Sequence, residues 1–471
     1  MSDHPSIVQG GMGVGVSSWQ FARAVAIHGQ LGVVSGTAVA VTLARRLMSG
    51  DPDGAVRRAL VRFPDPALAD RIVARHLRPS AEAHAPFRSV PLYTLRPPKS
   101  LVELTVAAAF VEVWLAKEGH DGPIGINLLE KIQLPTLPTL YGALLAGVDY
   151  VFMGAGIPAR IPAVLDRLTV HEPATLPITV ADAVKGAEHV SRFDPTAVLA
   201  ATSMPPLRRP AFIAIVSSST LARYLMGVAS GTPEGFVVEA PVAGGHNAPP
   251  RGRGPLSEQG EPIYGPRDHV DPADIAALGQ PFWLAGGLAD PAALVEAQAH
   301  GAAGVQVGTA FAFCEESGLD PGLKRQVLQA VAAGSLTVRT DPVASPTGYP
   351  FKIVPLPETI GDDDTYHARP RRCDLGYLRE LYERPDGHIG YRCPSEPIDD
   401  YLAKGGQHDD TVGRRCLCNG LLATIALGQH RPGGYHEPPL LTAGDDLTRL
   451  GRLLHGRTSY TAADVITYVL N

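Results

Sequence analysis

Two stretches decide how this chain folds: Phe282-Trp283-Leu284-Ala285-Gly286-Gly287 and Gly304-Val305-Gln306-Val307-Gly308-Thr309-Ala310-Phe311. Each begins as a short, largely apolar run, as a parallel strand covered on both faces by helices must be, and each then breaks into glycine. Between them Asp290 offers an N-cap, Pro291 opens a helix and Gly301 stops it, so the unit reads strand, helix, strand. Working outward, comparable runs recur at residues 6–9, 31–35, 124–127, 150–153, 211–216 and 236–239, which brings the strands to eight. Helical spacings separate them, such as Phe21 and Val25, or Leu104, Ala108, Val111 and Leu115 ended by Gly119. The pattern predicts an α/β fold, a TIM (β/α)8 barrel, with an open doubly wound sheet as the alternative.

The stretch from Gly36 to Gly122 is too long for one crossover, so a helical insert is expected at about residues 40–100. Beyond Gly334 the alternation is lost. The expected organisation is a barrel over residues 1–335 and an extension over residues 336–471 packed on it, with no internal repeat.

Composition agrees with a buried enzyme core. The chain has 471 residues with 45% apolar and 19% charged, and its Gly 50 and Pro 43 call for many sharp connections. A net charge of −6 leaves no bulk basic surface for nucleic acid. No run approaches the roughly 18 apolar residues of a membrane span, and residues 1–9 do not read as a signal peptide, so a cytoplasmic protein is expected. Five cysteines, an odd number, argue against a disulfide framework.

The paired loops after the last two strands are the usual phosphate site of such barrels, because backbone N–H groups can approach phosphate oxygens only where no side chain intervenes. Gly286, Gly287, Gly308 and Thr309 are the candidates. Of the seven lysines only Lys131 lies near a strand end, which disfavours a Schiff-base enzyme. Glu239 and His246 stand nearly alone at strand ends, which disfavours a metal-dependent barrel. Flavin mononucleotide (FMN) remains.

These residues resemble the nitronate monooxygenase family, which are FMN-binding TIM barrels. The resemblance spans about residues 7–331 and rests on Gly125-Ile126-Asn127-Leu128, Ala243-Gly244-Gly245-His246, Leu284-Ala285-Gly286-Gly287 and Gln306-Val307-Gly308-Thr309-Ala310-Phe311, in order and spacing. It implies that Gly10, Gly11, Met12 and Gly13 lie against the flavin ring and that Asn127 hydrogen-bonds it. Gly154 and Gly245 are further strand-end glycines expected at the cofactor, and Gly286, Gly287, Gly308 and Thr309 would hold the phosphate. His246 would be the catalytic residue, removing the α-proton of a nitroalkane or orienting the substrate, since an imidazole with a pKa of about 6.5 changes charge near neutrality.

The implied reaction oxidises an alkyl nitronate with O2 to a carbonyl compound and nitrite. Similar barrels are flavin-type enoyl reductases, so an NAD(P)H-dependent reductase acting in trans on an enoyl thioester, with an acyl carrier protein as partner, is the alternative. A non-catalytic flavin- or phosphate-binding scaffold is a third reading, and a homodimer is compatible with all three. The chain departs from the family in its Gly10-Gly11-Met12 loop, in the polar loop from Asn247 to about Arg267, where Arg251 or Tyr264 could meet an anionic substrate, and in its extension. There Cys373, Cys393, Cys416 and Cys418 fall within 46 residues. Four thiolates would satisfy zinc or an iron–sulfur cluster, but paired Cys-x-x-Cys knuckles are missing, so reduced thiols and no metal are expected. The pairs Arg371-Arg372 and Arg414-Arg415 read as surface charge.

Overall fold

The structure, a computed structural model, describes residues 4–79, 82, 85–184, 186–199, 204–252 and 254–471, so that Lys185 lies outside the described residues. Its centre is a ring of eight parallel strands: β1 (Ile7–Gln9), β2 (Gly32–Ser35), β3 (Ile124–Leu129), β4 (Tyr150–Gly154), β5 (Ala211–Val216), β6 (Gly235–Glu239), β7 (Phe282–Ala285) and β8 (Gly304–Val307). From β2 to β8 each pairs with its sequence neighbour, and β8 returns to β1 with Ile7 opposite Val305. The expected TIM barrel is therefore the observed fold.

The lumen is filled by Val8, Val33, Phe152, Ile213, Val237, Trp283 and Ala285, one apolar cluster from alternating strand positions. Phe152 has room because β3 contributes no side chain opposite it: a Cβ at Gly125 would stand 2.9 Å from the ring. The seam between β1 and β2 carries a single bridge, Val8 to Leu31. There the fully buried Gln9 takes over from the ladder: its Oε1 accepts from Val33 N (2.8 Å) and its Nε2 donates to Gly10 O and Ser17 Oγ (both 2.6 Å).

Helix α1 (Trp19–Ala26) is capped by Ser18, as its sequence suggests. The insert consists of α2 (Val39–Met48), α3 (Ala55–Leu60) and α4 (Pro66–His76), followed by the 19-residue α5 (Lys99–Lys117). Apolar residues run all round α5 because α1, α2 and α3 pack on it along with the helix Thr136–Leu145. Among the described residues, no helix is long and apolar enough to cross a membrane.

After Val307 the chain laces back over the barrel. A hairpin pairs Arg339–Asp341 with Phe351–Ile353, strand Glu380–Glu383 joins Val180–Ala181, and the last helix, Ala462–Leu470, packs on α1. Buried ions hold this part together: Arg369 meets Glu437 at 2.6 Å, their side chains only 5% and 1% exposed. Arg415 corrects the surface-charge expectation. It is buried and donates to Ile360 O (2.7 Å) and Asp363 (2.8 Å), while Arg414 donates to Val343 O and Ser345 O. These guanidiniums serve as internal clamps on loop carbonyls.

Candidate active site

The first loop is held from below. Ser17 Oγ donates to Gly10 O (2.9 Å) and accepts from Met12 N (2.8 Å), while Gly10 N continues the β8 ladder to Val307 O (2.8 Å). Asn127, on β3, donates from Nδ2 to Gly11 O (2.5 Å). The approach is so close that a Cβ at Gly11 would fall 2.1 Å from Asn127 Cβ, which accounts for glycine there. Asn127 Oδ1 is a buried acceptor with no partner among the described residues. Gly10, Gly11, Met12, Asn127 and Gly308 are thus brought together. Gly13 borders Thr37 and Ser35, and Gly154 packs on Ile215 of β5, where a Cβ would stand 2.9 Å away; strand packing accounts for that glycine.

At the other end Gly286 and Gly287 adopt positive φ (110° and 70°), and a Cβ at Gly308 would meet nothing within 4 Å. Thr309 Oγ1, however, already accepts from Gly444 N (2.9 Å), and its hydroxyl bonds Asp446, whose Cβ lies 3.7 Å from where a Cβ of Gly287 would be. The extension therefore places a carboxyl where a phosphate is expected. Asp446 Oδ1 is buried and unpartnered, and burial raises the pKa of this group.

His246 follows β6 in a loop that is woven into the extension. Gly245 N donates to Thr442 Oγ1, Lys352 N to Gly245 O and Asn247 N to Pro350 O, each at 2.9 Å. The imidazole rests edge-on against Phe351 (4.9 Å) and shares a 2.7 Å hydrogen bond through Nε2 with Ser345 Oγ. Burial, together with the nearby Lys131 ammonium, pushes its pKa down to about 4. This corrects the expectation that it changes charge near neutrality; His246 is neutral throughout the physiological range.

Lys131, two residues past β3, sits over the Tyr349 ring (4.7 Å). Its proximity to strand ends was visible in the sequence; its position beside His246 was not, because nothing in the order of residues links 131 to 246. Arg251 and Tyr264 are committed to backbone carbonyls, Arg251 to Arg267 O of its own loop and to Ser217 O just past β5, and Tyr264 to Ala248 O.

Glu239, at the end of β6, moves the other way: burial pushes its pKa up to about 7. The folded protein therefore holds a proton there that the unfolded chain releases above about 4.5, so stability from this group is full below about 4.5 and is lost as pH rises through about 7. Replacing Glu239 by Gln is expected to remove a penalty of about 3 kcal/mol at alkaline pH. Urea midpoints compared at pH 6 and pH 8.5, taken as roughly either side of that titration, check this; equal pH slopes in E239Q and wild type refute it.

Comparison with known proteins bears on this geometry. Residues 200–343 match the family model described as nitronate monooxygenase, a segment that holds the motifs ending in His246, Gly287 and Phe311 and leaves out the Asn127 motif. The resemblance read from the sequence is thus met over less than a third of the chain. No curated protein matches. Among solved structures, FabK from Thermotoga maritima is similar at 14% identity and a TM-score of 0.48, covering 99% of this chain and 92% of that one. Nitroalkane oxidase from Streptomyces ansochromogenes is similar at 16% and 0.46 (99% and 94% covered). The enoyl reductase domain of MlnA, from the macrolactin biosynthesis cluster of Bacillus amyloliquefaciens, is similar at 11% and 0.46 (98% and 92% covered).

Proposed function

We propose that this protein is a flavin-dependent oxidoreductase, with FMN as its flavin, that oxidises an alkyl nitronate with O2 to a carbonyl compound and nitrite, two nitronates being consumed per O2. The observation that carries the reading is His246, held neutral by burial with the Lys131 charge as a lesser cause, and lying within the segment that matches the nitronate monooxygenase family.

The residues fit a flavin at its ring end. Asn127 Oδ1 is a buried acceptor without a donor, a flavin ring offers an N–H, and Gly308 and Gly245 leave open space where side chains would intrude. Gly10, Gly11, Met12, Gly13 and Asn127 would hold the ring, and Gly286, Gly287, Gly308 and Thr309 the phosphate. Bound there, the flavin supplies the electron acceptor and passes the electrons on to O2.

The chain's own task is to bind and orient an anion. A nitronate carries its charge on two oxygens, which Lys131 attracts. In the tautomer that accepts from Ser345 Oγ at Nε2, His246 has an Nδ1–H to donate to one of those oxygens. A base with a pKa of about 4 is poorly matched to removing a carbon-bound proton, so His246 suits a substrate that arrives as the nitronate.

Two measurements test this. Mixed anaerobically with the yellow protein, a nitronate alone should bleach the flavin, and air should then yield nitrite. Bleaching by NADPH or NADH with reoxidation by an enoyl thioester would overturn the reading in favour of an enoyl reductase, and a protein that stays colourless after incubation with FMN would refute the cofactor itself. In the second, Asp446→Asn, which removes a like charge from the phosphate end, should tighten FMN binding about tenfold, or about 1.4 kcal/mol. Fluorescence titration reads this, and weaker binding in the variant would count against the phosphate assignment.

A further inference from the structure

The extension gathers Cys373, Cys393, Cys416 and Cys418 around one small cavity, although they come from three places in the chain's path through the subdomain. All are free thiols, and Leu375, Leu378 and Leu417 complete an apolar wall. Each sulfur faces a backbone N–H: Gly376 for Cys373, Ser395 for Cys393, Asn419 for Cys416 and Leu378 for Cys418. A thiol is a weak acceptor, and an N–H aimed at each sulfur suits a metal-bound sulfur, which is a stronger one. Positive charge is at hand as well, with Arg369 acting on Cys416 and Arg379 on Cys373.

The spacing tells which kind of centre fits. A single zinc ion holds its sulfurs at about 2.3 Å and draws all four onto one point. Among the described residues, no group of three or more His, Cys, Asp or Glu side chains is arranged to hold one metal ion. The thiols instead line the walls of a cavity, as the ligands of a multi-iron cluster do. We infer that these four cysteines ligate an iron–sulfur cluster. This revises the expectation of unliganded thiols drawn from the missing Cys-x-x-Cys pairs: Cys373 and Cys416 each receive an N–H from three residues on, so the local knuckle geometry is present without the second cysteine.

The site also touches the candidate active centre. Pro346, which lines the cavity, is the neighbour of Ser345, the partner of His246. A filled centre would brace that loop.

The test is metal and acid-labile sulfide analysis of the full chain, purified anaerobically and, in parallel, reconstituted with ferrous iron and sulfide before gel filtration. The expected result is iron and sulfide in about equal amounts, several of each per chain, a signal to which a flavin contributes nothing. Cys418→Ser should lose most of both, and Cys314→Ala, altered at a thiol buried in the barrel core, should keep them. Stoichiometric zinc without sulfide overturns the inference, as does wild-type protein that retains neither iron nor sulfide after reconstitution. The wild-type measurement decides even if a cysteine variant fails to fold. It is independent of the proposed nitronate activity.

Discussion

Replacing His246 with alanine is expected to lower kcat/KM for a nitronate by about 10²-fold or more, with FMN content unchanged. The size follows from the loss of one preorganised donor to substrate oxygen in a site partly shielded from water. The imidazole meets the protein through Ser345 and Phe351, not through the loops assigned to the flavin, so the cofactor should stay. Ser345→Ala separates chemistry from packing: it leaves the ring in place but frees its tautomer and angle, and should cost less than the alanine at 246. Activity of the His246 variant within threefold of wild type, measured as nitrite release, would remove this residue from the mechanism. The pH profile adds a check. With the pKa near 4, no limb attributable to His246 should appear between about pH 6 and pH 8.

The second large effect is on stability. Glu437→Ala should destabilise the protein by about 3–5 kcal/mol, because it strands the buried Arg369 guanidinium, whose Nη2 already lacks a partner. Glu437 also accepts from Tyr435 OH (3.0 Å), so two donors lose their acceptor together. A substitution of both ions by apolar residues, Arg369→Met with Glu437→Leu, should recover most of the loss, since the cost lies in the unpaired charge and not in the absence of the pair. Urea midpoints by circular dichroism measure both. A loss below about 1 kcal/mol in the single variant would mean that water reaches Arg369.

What the sequence disclosed follows from the range of the physics involved. The eight strands were legible because a parallel strand inside two helical layers must be apolar on both faces, and that signal is local. Asp290 with Pro291, and Gly119 after α5, marked helix ends for the same reason. Gln9 was not legible. One glutamine in an apolar run carries no sign that it replaces ladder hydrogen bonds at the seam between β1 and β2. Nor was the cover over the site. Ser345, Thr442 and Asp446 reach His246, Gly245 and Thr309 across about a hundred residues or more, and no periodicity reports a contact at that separation. The arginine pair at 414 and 415 misled because Arg-Arg looks solvated until the carbonyls it serves are known. Gly154 read as a cofactor glycine, and the structure gives it a packing cause.

The lacing of the extension over the barrel mouth sets an order in time. A ribosome releases β1 to β8 well before it has made Thr442, Gly444 and Asp446, and domains fold largely as they emerge. The nascent barrel thus has its glycine loops formed and uncovered for the time taken to make residues 308–446. A flavin arriving in that interval meets an open cradle, whereas one offered to the finished chain must first lift Gly444 from Thr309 and turn Asp446 aside. Under the proposed flavin assignment, loading during refolding should therefore outpace loading of the completed apoprotein.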